Sequence, residues 1–193
     1  AAQAKVDAVK AELDKAVALL KDKGNTEGLE AAKNELKTAT EATNVTDGKT
    51  TESADKYNEA KTAAEAVVKE AEGVIADVNS TTEDVANALT KVNAAKAVLD
   101  DAKSKLVEAA TADEKAKLKA DSEALKKADT RGKTPNSIDA YNTKFEALKT
   151  QLEAAKTEAE KVLAKENNAT KEEAKAAQAK VDAVKAELDK AVA

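Results

Sequence analysis

The chain has 193 residues, 32 basic and 37 acidic side chains, and a net charge of −5, with no Cys, His, Met or Trp, two Tyr and one Phe. Those absences remove a thiol nucleophile, an imidazole base and a zinc site of the His/Cys kind, so no enzyme activity, catalytic residue, cofactor or metal site is expected. The charges of both signs are spread along the whole length and leave no basic stripe for phosphates, so nucleic acid is not an expected partner.

No apolar run nears the ~20 residues that span a bilayer, and no membrane insertion is expected in this segment. Any export or anchoring signal is expected outside it. The lack of Cys fits an exported bacterial protein that avoids thiols. The composition is 42% apolar and 36% charged, and Ala supplies most of the apolar part. Burying an Ala methyl yields about 0.8 kcal/mol against roughly 1.5 to 3 for Val or Leu, which predicts a thin core between closely spaced helices.

Apolar positions recur at helical 3-4 spacing. The first helix carries Val6, Val9, Leu13, Ala16 and Leu20 on one stripe and is predicted to stop at Lys23-Gly24-Asn25, with Gly24 as a left-handed C-cap. A shorter second helix follows through Leu29, Ala32, Leu36 and Ala39, and Asp47-Gly48 marks a turn. The third helix runs through Ala54, Tyr57, Ala64, Val68, Ala71, Ile75 and Val78, with a gap at Lys61 that Ala60 or the Lys61 stem is placed to cover.

Ser80 with Glu83 reads as a capping box opening a fourth helix, whose stripe is Val85, Ala88, Val92, Ala95, Leu99, Ala102 and Leu106. Thr111 with Glu114 opens a second short helix through Leu118 and Leu125, and Arg131-Gly132-Lys133-Thr134-Pro135 is the next turn. The stripe Ile138, Tyr141, Phe145, Leu148, Leu152, Ala155, Ala159 and Val162 then matches the Ala54 series at an offset of 84, except where Phe145 faces Lys61. Thr170 with Glu173 caps a last helix.

That last helix repeats the first: Ala1–Ala18 and Ala176–Ala193 both read AAQAKVDAVKAELDKAVA. The helix from Lys91 to Asp100 is a diverged middle copy, at offsets of 86 and 89 from the outer two, so the repeat is about 87 residues. The predicted fold is all-α, with tandem antiparallel three-helix bundles stacked end to end into an elongated rod. The predicted divisions are 1–78, 79–166 and a third repeat beginning at 167–193. In that frame Leu99→Asp is expected to melt the second unit.

The run YNEAKTAAEAVVKEAEGVI, the break NSTTEDV and the helix VANALTKVNAAKAVLDDAKSKL resemble the FIVAR-type helical repeats of giant Gram-positive cell-wall adhesins, including the extracellular-matrix-binding proteins of staphylococci. The likeness covers both units, although the further aromatic common in that family is Phe145 in one unit and Lys61 in the other. No segment resembles the albumin-binding three-helix modules that accompany such repeats. The resemblance implies a secreted or cell-wall-anchored bacterial surface protein in which the repeats form a stalk or take part in cell adhesion.

Each conspicuous feature also has a structural reading. Tyr57, Tyr141 and Phe145 lie on core stripes, and the Glu/Lys ladder reads as a solvated face with i,i+4 pairs. Asp100-Asp101 lacks the spacing of a calcium loop. Of the glycosylation triplets at Asn44, Asn79 and Asn168, two coincide with helix N-caps. The functional expectation is a stalk segment of a bacterial surface adhesin, with neighbouring repeats of the same chain as partners. The alternative is a low-affinity, multivalent module binding a host matrix protein or albumin. No ligand-binding residue is singled out.

Overall fold

In the computed structural model, which describes residues 2–192, the helices are α1 (Ala2–Ala18), α2 (Glu27–Thr40), α3 (Thr51–Ala76), α4 (Thr82–Ser104), α5 (Ala112–Ala124), α6 (Pro135–Leu163) and α7 (Lys171–Val192). A single 3₁₀ turn, Glu166–Asn168, precedes α7. Among the described residues there is no strand; three isolated antiparallel bridges, Lys23 with Thr81, Lys49 with Glu108 and Ala109 with Thr170, join the links instead. The all-helical class predicted from periodicity is therefore the one that forms.

The chain divides into two compact units, Ala1–Val45 with Lys56–Ser104 and Thr46–Asp55 with Lys105–Ala193. These do not follow the predicted divisions at 78 and 166. In the second unit α5, α6 and α7 pack on one another. The Ala109–Thr170 bridge sets the starts of α5 and α7 side by side, while Lys180–Glu158 at 3.5 Å and the closer Lys165–Glu173 pair run in opposite directions along α6 and α7. The result is an up-down-up bundle. In the first unit α2 packs on α4, and Lys91 of α4 meets Glu70 of α3 at 2.8 Å.

Each bundle thus takes a short helix, a long helix and the helix that the sequence assigns to the following repeat. The cause lies in the links. Gly24 N donates to Ser80 O at 3.0 Å and Thr82 N donates to Asp22 O at 3.1 Å, which places α4 beside α2 and fills the groove that α1 would need. In the second unit Ala110 N donates to Ala169 O at 2.8 Å and Lys171 N to Glu108 O at 3.0 Å, the same pair of bonds one repeat later. α1 is left without a single buried residue.

The cores are thin, as the Ala content requires. Leu29, Leu36, Tyr57, Ala64, Val68, Ala71, Val85, Ala88, Val92 and Leu99 are buried in the first unit. In the second, Leu118, Leu125, Leu152, Val162, Val181, Val184 and Leu188 alternate with Ala110, Ala155, Ala159, Ala169, Ala174 and Ala177. Lys61 and Ala60 are both half-buried, so together they cover the gap in the α3 stripe. Val78 lies beyond the end of α3 and is exposed, which removes it from the predicted stripe.

Two capping predictions change. The box before α4 is formed by Thr81 and Asp84 rather than Ser80 and Glu83: Thr81 N donates to Asp84 Oδ2 at 2.9 Å and Asp84 N to Thr81 Oγ1 at 3.3 Å. Ser80 is drawn inward, where its hydroxyl donates to the Val74 carbonyl at 2.7 Å. The boxes Thr111–Glu114 and Thr170–Glu173 form as predicted.

Gly24 is not a left-handed cap, because positive φ among the glycines occurs only at Gly48 and Gly132. Its glycine serves close approach instead. A Cβ there would overlap the Val85 side chain and lie 2.7 Å from the Thr81 carbonyl oxygen. The matching pair in the second unit is Ala110 and Ala174, so a Gly–Val pair is exchanged for an Ala–Ala pair. Gly24→Ala is expected to destabilise the first unit by about 1 to 3 kcal/mol through overpacking. Adding Val85→Ala to it should cost less than Val85→Ala costs in the parent, and urea titration of the four proteins gives that coupling; strict additivity would refute it.

Candidate functional site

Several carboxylates of this chain serve helix starts and ion pairs. Asp84, Glu114 and Glu173 each accept a backbone N–H at a capping box. Hydrogen bonds from Thr81 hold Asp84 below its ordinary range, and the Thr111 amide does the same for Glu114. For Glu173 the Lys165 ammonium is the larger influence and the Thr170 amide the second. Asp121 is lowered by Lys117 and then, past the cost of its partial burial, by Gln178, whose amide donates to it at 2.7 Å.

A carboxylate whose pKa is lower folded than unfolded contributes stability above the unfolded value and loses it as pH falls through the folded one. The melting temperature is therefore expected to be level near neutrality and to fall as pH drops below the ordinary values of 4.5 for Glu and 3.8 for Asp. The triple variant Asp84→Asn, Glu114→Gln, Glu173→Gln keeps acceptors at the caps without titrating. Thermal melts between pH 7 and pH 3 should show a shallower acid fall for it, and an unchanged slope would refute the cap contribution.

Among the described residues no group of three or more potential ligands is placed to hold a metal ion. Asp100 and Asp101 are both exposed on α4, and Asp100 accepts from Lys96 at 3.2 Å. None of the described helices is long and apolar enough to cross a membrane.

The aromatic residues pack inward. Tyr57 is buried in the first unit, and burial pushes its phenol above the ordinary value. Tyr141 is buried in the second, where its hydroxyl accepts the Ala128 N–H at 2.7 Å and ties the α5–α6 turn to α6. Phe145 is half-buried, 6.0 Å from the Tyr141 ring, with the Lys127 ammonium 5.8 Å from its centroid. The Asn side chains of the three glycosylation triplets are exposed; Asn168 Oδ1 accepts the Glu52 N–H at 2.8 Å, and Asn44 takes a left-handed φ of 59°.

A concavity of about 360 Å³ lies at one end of the second unit, between the α5–α6 turn and the end of α7, with Thr130, Ser137, Ile138, Tyr141 and Val192 among its walls. Ser137 at its edge belongs to a motif found earlier in the chain. Thr134 Oγ1 donates to Ser137 Oγ at 3.0 Å, as Thr50 Oγ1 donates to Ser53 Oγ at 2.9 Å. The two copies differ in what covers them. Thr50 and Ser53 are buried under the link after α4: Thr50 N donates to Val107 O at 2.8 Å and Val107 N to Ser53 Oγ at 3.1 Å. Thr134 and Ser137 are exposed.

Periodicity did not identify this motif, because Thr and Ser there carry no apolar signal. Comparing Thr50-x-x-Ser53 with Thr134-x-x-Ser137 across the repeat was the available clue. The second feature that stands apart is α1, with Val6, Val9, Leu13 and Val17 at 56 to 69% exposure and Leu19 and Leu20 just beyond it at 81 and 78%. The same side chains in α7, Val181, Val184 and Leu188, are buried.

The fold is all-helical, with small-residue helices packed into two compact units. The chain is similar to no known family model, no curated protein and no solved structure.

Proposed function

We propose that the chain is a non-enzymatic spacer: a stalk segment of a bacterial cell-surface adhesin, in which bundles stacked into a rod project a functional domain from the cell wall. The observation that carries this reading is the distribution of exposed apolar side chains. A module that binds a host protein in every repeat needs a contact patch that recurs once per repeat. Among the described residues, six of the ten large exposed apolar side chains fall between Val6 and Leu20, and the other four, Val78, Val98, Val107 and Val192, are scattered. Val181, Val184 and Leu188, the copies of Val6, Val9 and Leu13 in α7, are covered. What recurs is the pair of backbone bonds that joins each short helix to the helix after next, a feature of assembly.

Spacer function rests on length per repeat. At 1.5 Å per residue a 29-residue helix such as α6 is about 43 Å long. Small-angle scattering of this chain, and of chains lengthened by one repeat, should give a maximum dimension that grows by a constant step. The radius of gyration should lie well above the about 16 Å of a globule of this length. A globular profile, or saturable binding of each single repeat to fibronectin, fibrinogen, albumin or collagen, would overturn it.

A further inference from the structure

The segments 1–18 and 176–193 carry the same eighteen residues in identical order, yet α1 in the first is bare and α7 in the second is the third wall of a bundle. The chain therefore contains both the uncovered face and the surface that covers it. In α7, Ala177, Val181, Val184 and Leu188 are buried against the α5–α6 pair; the same places in α1 are Ala2, Val6, Val9 and Leu13. The polar neighbours correspond as well. Gln178 donates to Asp121 at 2.7 Å, Lys180 meets Glu158 at 3.5 Å and Asp182 lies 3.9 Å from Lys117. Gln3, Lys5 and Asp7 hold those positions on α1, and Gln3 donates to Asp7 at 2.9 Å as Gln178 does to Asp182 at 2.8 Å.

The bundle end repeats this relation in reverse. The Thr50/Ser53 motif is closed by Val107, in the link that follows a copy of this helix. The Thr134/Ser137 motif borders an open groove beside Val192, where that copy ends. The residues that follow the first copy, Leu19, Leu20 and Lys21, are exposed beyond α1; by the repeat offset of 86, Leu20 and Lys21 correspond to Leu106 and Val107.

We propose that the apolar face of α1 is a docking surface for a helical hairpin of the α5–α6 kind, supplied by a preceding repeat, and that Leu20 and Lys21 close the end groove of the bundle so formed. The two ends of this chain are then two halves of one joint. The proposal rests on the tandem-array reading and adds its coupling: each repeat is completed only by the first helix of the next, so repeats fold as a connected series with nearest-neighbour terms. An added repeat gains stability from the joint as well as from its own core.

The test places residues 105–175 directly before Ala1 of the whole chain, which recreates the sequence around Lys175–Ala176, and follows amide exchange along α1. In the chain as it stands α1 amides should exchange as freely as those of a frayed helix. In the extended chain they should slow by about 100-fold or more, as expected of a packed element. Leu13→Asp should abolish that protection in the extended chain while leaving the α7 amides protected, which verifies that the remaining bundles are folded. Equal exchange of α1 in both chains overturns the proposal. So does a concentration-dependent dimer of the unextended chain in which α1 becomes protected, since α1 would then be covered by a second copy. None of these readouts depends on particle length or on a host ligand, so failure of the spacer reading remains separable from failure of the joint.

Discussion

Val181→Asp is expected to abolish cooperative unfolding of the second unit, while Val6→Asp, the same change within the same eighteen-residue sequence, should leave stability within about 0.5 kcal/mol of the parent. Val181 is fully buried and Val6 is 60% exposed, so local sequence is held constant and only burial differs. Placing a carboxylate among Leu118, Ala177 and Val184 forfeits the transfer energy of the valine and leaves a charge without a partner. The sum is about 4 kcal/mol or more, a large part of what a bundle of this size commands. Urea titration of both variants, with exchange at Leu118 and Leu152 reporting the second unit, gives the comparison. Equal effects at the two positions would mean that α1 is packed in solution.

The stripe Val181, Val184, Leu188 was legible from spacing alone, as were Leu29, Leu36, Leu118 and Leu125 on the two short helices, because a buried helical face must repeat at the helical period. The partner of each face was not. Periodicity states that Val6, Val9 and Leu13 need covering and is silent on which helix covers them. That choice is made by a few backbone bonds in the links, at Gly24, Ser80, Ala110 and Ala169, where small residues allow two chain segments to meet. Their spacing carries no period, and the smallness that makes them suitable also makes them inconspicuous.

The cap before α4 shows the same limit at closer range. Ser80-x-x-Glu83 and Thr81-x-x-Asp84 both satisfy the capping-box pattern, and a local reading does not separate them. The repeat does, because Thr81 corresponds to Thr170, the cap of α7. Its physical basis is the bridge between Lys23 and Thr81, which turns Ser80 inward to the Val74 carbonyl and leaves Thr81 to cap the helix. Likewise the Thr50/Ser53 and Thr134/Ser137 motifs are invisible to hydropathy, and only the structure distinguishes the buried copy from the exposed one.

Leu99→Asp separates the two frames most sharply. By sequence Leu99 belongs to the repeat spanning 79–166, and its loss was expected to melt that second repeat. In the structure it is 2% exposed and lies in the first compact unit, within Lys56–Ser104. The substitution should cost about 4 kcal/mol by loss of burial and exposure of the core to an unpaired charge. Its effect should fall on α2, α3 and α4: amides near Leu36, Val68 and Val92 are expected to lose protection, while those near Leu118, Leu152 and Val181 keep it. Amide exchange followed by mass spectrometry resolves the two groups directly. Loss at Leu118 and Leu152 with retention at Leu36 would restore the sequence frame, and with it a bundle made of one repeat alone. The expected pattern instead makes the covalent repeat and the folding unit differ by one helix. A break in the array at a repeat boundary would then strand one apolar helix face and open one groove.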